Sequence, residues 1–200
     1  MPHQPTKPRT AGHEFILGGQ KSGKSRRAEQ RAIDWLAADA RTHRAVLIAT
    51  AQAYDDEMQE RIVRHQADRA ERVPGMRTIE EPVELARAIV TQSTPETLVV
   101  VDCLTMWLTN LLMPMPSEDA RPVTRTPATH IAMLLVALRD VPGPVVLVGN
   151  EIGLGVIPMG RETRAFVDAL GRLNQDVAAA CERVTLMAAG LPLSLKAPAA

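Results

Sequence analysis

Two hundred residues, 46% of them apolar, are enough for one buried core and no more than one ordinary domain. The 23 basic residues are matched by 23 acidic ones, which excludes the one-signed field of a nucleic-acid or anionic-membrane binder and leaves a small molecule as the default partner. Two cysteines, Cys103 and Cys181, with no CxxC and no Cys/His cluster, exclude a disulfide scaffold and a thiolate metal centre; they read as buried free thiols in a reducing compartment.

In chain order, Met1 to His13 is polar and proline-bearing without an apolar h-region, so it reads as a flexible tail ahead of a single domain over residues 14–200. Strands are expected at Glu14 to Leu17, Ala45 to Thr50, a weaker Arg77 to Glu80, Leu98 to Asp102, Val145 to Gly149 and Val184 to Ala188. Helices are expected at Gly23 to Ala40, Asp55 to Arg72, Pro82 to Gln92, Thr126 to Arg139 and Arg161 to Arg183. On the last of these, Phe166, Val167, Leu170, Leu173, Val177 and Cys181 recur at helical spacing. Met113 to Pro127, with its prolines among polar residues, reads as a loop. Strand and helix alternate, and runs such as LVVVD carry no polar alternation. That combination predicts an α/β fold with a mostly parallel sheet covered by helices on both faces. The longest apolar run, Leu98 to Met113, is broken by Asp102 and Asn110 and falls short of the roughly 20 residues that span a bilayer. A soluble, cytoplasmic chain is expected.

Gly18-Gly19-Gln20-Lys21-Ser22-Gly23-Lys24-Ser25 fits GxxxxGK[ST] between a strand and a helix, the setting of a P-loop. Glycines let backbone N–H groups wrap phosphates, and the following helix adds its positive end. Lys24 is expected on the β and γ phosphates of ATP or GTP, and the Ser25 hydroxyl on Mg²⁺. A second, acidic Mg²⁺ partner belongs at the tip of another parallel strand, and Asp102 stands there. Its competing role is the N-cap of a helix beginning near Leu104.

Met58, Ile62, His65 and Arg69 share one helical face. A histidine on such a stripe is ordinarily a packed core residue, and spacing alone assigns His65 no chemistry.

The segments GGQKSGKSRRAE, IATAQAYDDEMQERIVRH, TIEEP, VVDCLTMWLTNLL and NEIGLGVIP, with the terminal AAGLPLSLK, together resemble the bifunctional adenosylcobinamide kinase / adenosylcobinamide-phosphate guanylyltransferase family of cobalamin biosynthesis. The resemblance runs from about Phe15 to Lys196. It implies a RecA-like P-loop NTPase fold and a homotrimer. It implies NTP-dependent phosphorylation of the corrinoid adenosylcobinamide, then GMP transfer from GTP to give adenosylcobinamide-GDP. The GMP passes through a guanylylated histidine, and the matching residue is His65. Ile48, Ala49, Thr50, Gln66, Ala67, Asp68, Arg69, Glu80 and Asp102 match nucleotide contacts. This chain departs from the family pattern at Pro158-Met159-Gly160, where Pro-Glu-Asn is usual, at Ala70, at Met76, and in a short insertion near Val73 to Gly75.

Overall fold

The computed structural model describes residues 12–53, 56–114 and 125–198. Its elements are β1 (Glu14–Gly18), α1 (Lys24–Ala38), β2 (Arg44–Ala49), α2 (Asp56–Arg72), β3 (Met76–Glu80), α3 (Leu85–Gln92), β4 (Thr97–Asp102), α4 (Leu104–Leu112), α5 (Pro127–Asp140), β5 (Val145–Asn150), α6 (Arg161–Ala180), β6 (Arg183–Ala188) and β7 (Leu191–Lys196). The strands form one sheet in the order β3-β2-β4-β5-β1-β6-β7. Every neighbouring pair is parallel except β6–β7, an antiparallel hairpin.

The unbroken apolar strands follow from burial on both faces. Along β1 and β4, successive residues go to opposite sides. Phe15, Leu17, Val99 and Val101 join the larger core, with α3 to α6. Ile16, Leu98 and Val100 join a smaller one, with Ala28 and Ala32 of α1. Trp107 of α4 is fully buried in the larger core, and its indole N–H donates to Val83 O at 2.9 Å. β1 and β5 stay paired to their carboxyl ends, but α1 leaves β1 on one face and α6 follows β5 on the other, so the chains diverge there, the place where sheets of this kind open a crevice.

The helix expected to begin near Leu104 is α4, which starts there almost at once after Asp102. One element departs from sequence expectation by more than a boundary. β7 was not expected, because all six of its residues are exposed and it is a strand only by pairing with β6. The tail reading also stops short of His13, which is 1% exposed. Its Nδ1 accepts from Val145 N at 3.1 Å, so Nε2 is the protonated nitrogen that donates to Leu138 O at 2.7 Å. Of the two cysteines, Cys181 is buried but Cys103 is only half-buried.

Candidate active site

The P-loop is held open by backbone that side chains resist. Gly18, at the end of β1, has φ 155°, and a Cβ there would stand 2.5 Å from both Met187 O and Ser22 Oγ. Gly23 has φ 99° and caps α1, and Lys21 takes φ 55° between them. Ser22 N donates to Gly19 O at 3.3 Å, tightening the loop, and Gly190 N of the β6–β7 turn donates to Ser22 O at 3.0 Å, bracing it from outside. Gly19, Gln20 and Lys21 remain exposed to the crevice, whereas Ser22 is buried and Ser25 half-buried on the first turn of α1.

Lys24 is 8% exposed and its Nζ donates to Gly19 O at 2.6 Å. Burial pulls the pKa of its ammonium below the ordinary value, and the nearby Asp102 carboxylate opposes that shift. The lysine therefore stands within electrostatic reach of the β4 tip, as a group that spans two strand ends must. β5 lies between β1 and β4, so the P-loop and Asp102 are separated by roughly 10 Å, two interstrand steps.

Asp102 is not a helix cap: α4 is capped at Cys103 with no side-chain bond. Its carboxylate faces Arg69 of α2 instead, with Arg69 Nη2 3.7 Å from Asp102 Oδ2. Arg69 is 7% exposed and also lies 4.0 Å from Glu29 of α1, and Arg72 pairs with the same glutamate at 2.9 Å. Both arginines thus tie the C-terminal half of α2 to the wall of the crevice. Gln66 Nε2 donates to Glu80 Oε1 at 3.1 Å, tying α2 to the tip of β3 as well. Ala67 and Asp68 are exposed. The backbone of residue 65 belongs to α2, and its side chain lies outside what the structure describes.

The residues at the end of β2 do structural work. Ile48 is fully buried in the larger core and Ala49 is half-buried. Thr50 is fully buried, and its hydroxyl donates to Cys103 O at 2.7 Å and accepts from Cys103 N at 2.9 Å. That hydroxyl is committed within the protein and holds the chain leaving Asp102. Sequence reasoning missed the residues that complete this frame. Buried Asn110 donates to Thr50 O and Pro82 O, joining the tips of β2 and β3. Glu81 Oε1 accepts from Val83 N and Glu84 N, and Thr105 Oγ1 accepts from Asn150 N. Asn110 was readable as an odd polar residue in an apolar helix; Glu81 and Thr105 carried no comparable sign.

Burial pushes the Cys103 thiol up to about 11, with the charge of Asp102 adding to it, so it stays protonated near neutral pH and is no nucleophile here. Among the described residues no group of three or more His, Cys, Asp or Glu side chains could hold a metal by itself. Mg²⁺ fits this frame in another way: it takes one or two protein oxygens and fills its shell with phosphate and water. Ser25 stands in the first turn of α1 and Asp102 closes β4, so each could supply one such oxygen at the carboxyl edge of the sheet.

A model of the family described as cobinamide kinase / cobinamide phosphate guanyltransferase matches residues 14–195. The chain belongs to that family. It is 45% identical over 183 residues to the bifunctional adenosylcobalamin biosynthesis protein CobP of Pseudomonas aeruginosa, covering 92% of this chain and 96% of the relative. It is 36% identical over 188 residues to the CobU proteins of Escherichia coli and Salmonella typhimurium, each covering 91% of this chain and 98% of the relative. Among solved structures, the flagellar accessory protein FlaH of Methanocaldococcus jannaschii matches 94% of this chain and 79% of its own, with a TM-score of 0.51 at 11% identity. That likeness concerns the fold alone, and the fold is the P-loop α/β architecture of this cobinamide kinase / guanyltransferase family member, a transferase. No helix among the described residues is long and apolar enough to cross a membrane.

Proposed function

We propose that this chain phosphorylates the aminopropanol hydroxyl of adenosylcobinamide from ATP or GTP and then transfers GMP from GTP to the new phosphate, giving adenosylcobinamide-GDP. The observation that carries the reading is the P-loop, in which buried Lys24 donates to Gly19 O and the Asp102 carboxylate favours its charged form, in a chain of this family.

For the kinase step, Gly18 to Ser25 hold the phosphates through backbone N–H groups and the start of α1, and Lys24 draws the transferring phosphoryl group out of water. Ser25 and Asp102 would hold Mg²⁺, which when bound would supply charge neutralisation on the phosphate oxygens. With the phosphates oriented, an acceptor hydroxyl needs only to be brought in line.

For the transferase step, His65 on α2 is the nucleophile. A neutral imidazole nitrogen attacks the α-phosphorus of GTP, the P–N bond forms and the P–O bond to pyrophosphate breaks. The phosphate of the corrinoid then attacks the same phosphorus, releasing the imidazole. Arg69, one turn beyond His65, supports this geometry because its contacts with Glu29 and Asp102 hold α2 at the crevice. Gln66 and Glu80 extend the tie, and Ile48, Ala49, Thr50, Ala67 and Asp68 complete the nucleotide environment. A homotrimer is what the family resemblance implies, and the exposed row Leu191, Leu193 and Leu195 on the edge strand β7 supports association between copies of the chain. Use of nucleoside triphosphates as substrates supports a cytoplasmic reading.

Intact mass spectrometry tests the central step. With GTP and Mg²⁺ and no corrinoid, the wild-type chain gains one GMP, labile in acid and stable in alkali as a phosphoramidate should be. His65→Ala gains none. A label on His3, His13, His43 or His130 would move the nucleophile, and an unmodified wild-type chain would remove the transferase half of the reading.

A further inference from the structure

The chain leaving β5 carries a surface that the nucleotide does not need. In residues 152–159, Leu154 is 83% exposed, Val156 97%, Ile157 77% and Met159 95%. Exposed apolar side chains this concentrated mark a ligand or partner surface. The segment is anchored at both ends: Glu151 N donates to Gly18 O at 3.1 Å, and Arg164 Nη1 of α6 donates to Pro158 O at 3.0 Å. Glu151 Oε1 also accepts from Gly153 N at 2.7 Å. The apolar groups are thus held out on a fastened loop. Between that loop and α6 runs an open groove of about 600 Å³, lined on the helix side by Arg164, Val167, Asp168, Arg172 and Gln175. Their spacing puts the polar ones along one face of α6.

We propose that this loop and groove form the acceptor platform, taking the flat apolar ring of a corrinoid on Leu154, Val156 and Ile157 and its peripheral amides on Asp168, Arg172 and Gln175. The inference rests on the reading that a corrinoid is the acceptor. Three observations select that occupant. An exposed apolar ridge beside a row of mixed donors and acceptors matches a planar ring edged with amides, each of which offers a carbonyl and an N–H₂. Arg164 and Arg172 bracket Asp168, so the groove has no one-signed field for a second polyphosphate. Finally, the platform begins where the phosphate loop ends, since Asn150 pairs with Gly18 and Glu151 bonds to it. A ring seated there can extend an aminopropanol arm over the edge of β5 to the phosphates.

Equilibrium dialysis of cobinamide, read by its visible absorbance, tests the platform in the full chain without nucleotide. Val156→Asp should weaken binding at least tenfold and Gln175→Ala several-fold, while both retain wild-type self-guanylylation by GTP, which needs no acceptor and reports an intact fold. Binding of cobinamide at wild-type strength by Val156→Asp and Leu154→Asp would overturn the platform. So would a change of oligomeric mass by light scattering in Val156→Asp, which would assign this face to contact between copies of the chain. If the wild type self-guanylylates yet binds no cobinamide, with or without nucleotide, the corrinoid reading itself fails and not merely its location.

Discussion

Asp102 shows how a single carboxylate can serve two partners. It closes β4 within electrostatic reach of Lys24, and it holds Arg69 at 3.7 Å. A metal bound between Ser25 and Asp102 would compete with Arg69 for the same carboxylate. The pair is largely buried, with Asp102 at 20% and Arg69 at 9% of side-chain surface, but its separation is long and Arg69 keeps Glu29 at 4.0 Å, so removing the Asp102 charge leaves the cation a partner. Asp102→Asn keeps the shape and removes the charge. It should raise the Mg²⁺ concentration for half-maximal kinase rate about tenfold, with little change in melting temperature. A Mg²⁺ titration superimposable on wild type would confine Asp102 to orienting Arg69.

The β6–β7 hairpin is the element whose contribution is easiest to overlook. Its turn, Ala189-Gly190, uses φ 50° and 81°, the geometry that keeps two antiparallel strands in twist. Gly190 N then reaches Ser22 O, and Gly190 Cα sits 3.3 Å from where a Cβ on Gly23 would stand. The hairpin is therefore the outer wall of the phosphate loop, and Lys196 at its far end anchors it by donating to Cys181 O at 2.6 Å and Ala178 O at 3.0 Å past the end of α6. Gly190→Val forces a β-branched residue into left-handed backbone, at a cost of about 1–2 kcal/mol. Because the strain falls beside Ser22, nucleotide affinity measured by calorimetry should drop several-fold as the melting temperature falls. A variant that melts early but binds nucleotide normally would show that the turn supports the sheet and not the P-loop.

At the scale of the whole molecule, His13 locks the sheet to its helical layer. Burial lowers its pKa from the ordinary 6.5, outweighing the bond to Leu138 and the charge of Glu182, which raise it. A lowered folded-state value means the neutral ring is the form the fold accepts, and protonating it would turn Nδ1 from acceptor to donor against Val145 N–H. The stabilisation is present above the unfolded value near 6.5 and is lost as pH falls through that value toward the folded one. Melting temperature should therefore decline from about pH 6.5 downward, and His13→Asn should be less stable at pH 8 with a flatter profile between pH 6.5 and 5. An equally steep decline in the variant would assign the effect to other groups.

The sequence by itself determined the fold class and marked out the glycine loop with its lysine and the strand-end aspartate as candidates, because each is written in contiguous residues: a period, a glycine spacing, a run ending in acid. It also carried the family, through segments that no generic P-loop chain shares. What His65 does was not legible from its helical stripe, and only the resemblance gave it a role. Tertiary structure alone decided that Arg69 turns to Asp102 and Glu29, that Thr50 is spent on Cys103, that Asn110 ties two strand tips together, and that His13 is core. Each of those contacts joins residues distant in the chain, and only the order in which strands β3-β2-β4-β5-β1-β6-β7 lie side by side brings them within bonding distance. β7 is the limiting case: wholly exposed, it has no burial pattern to read, and hydrogen bonds to β6 alone make it a strand.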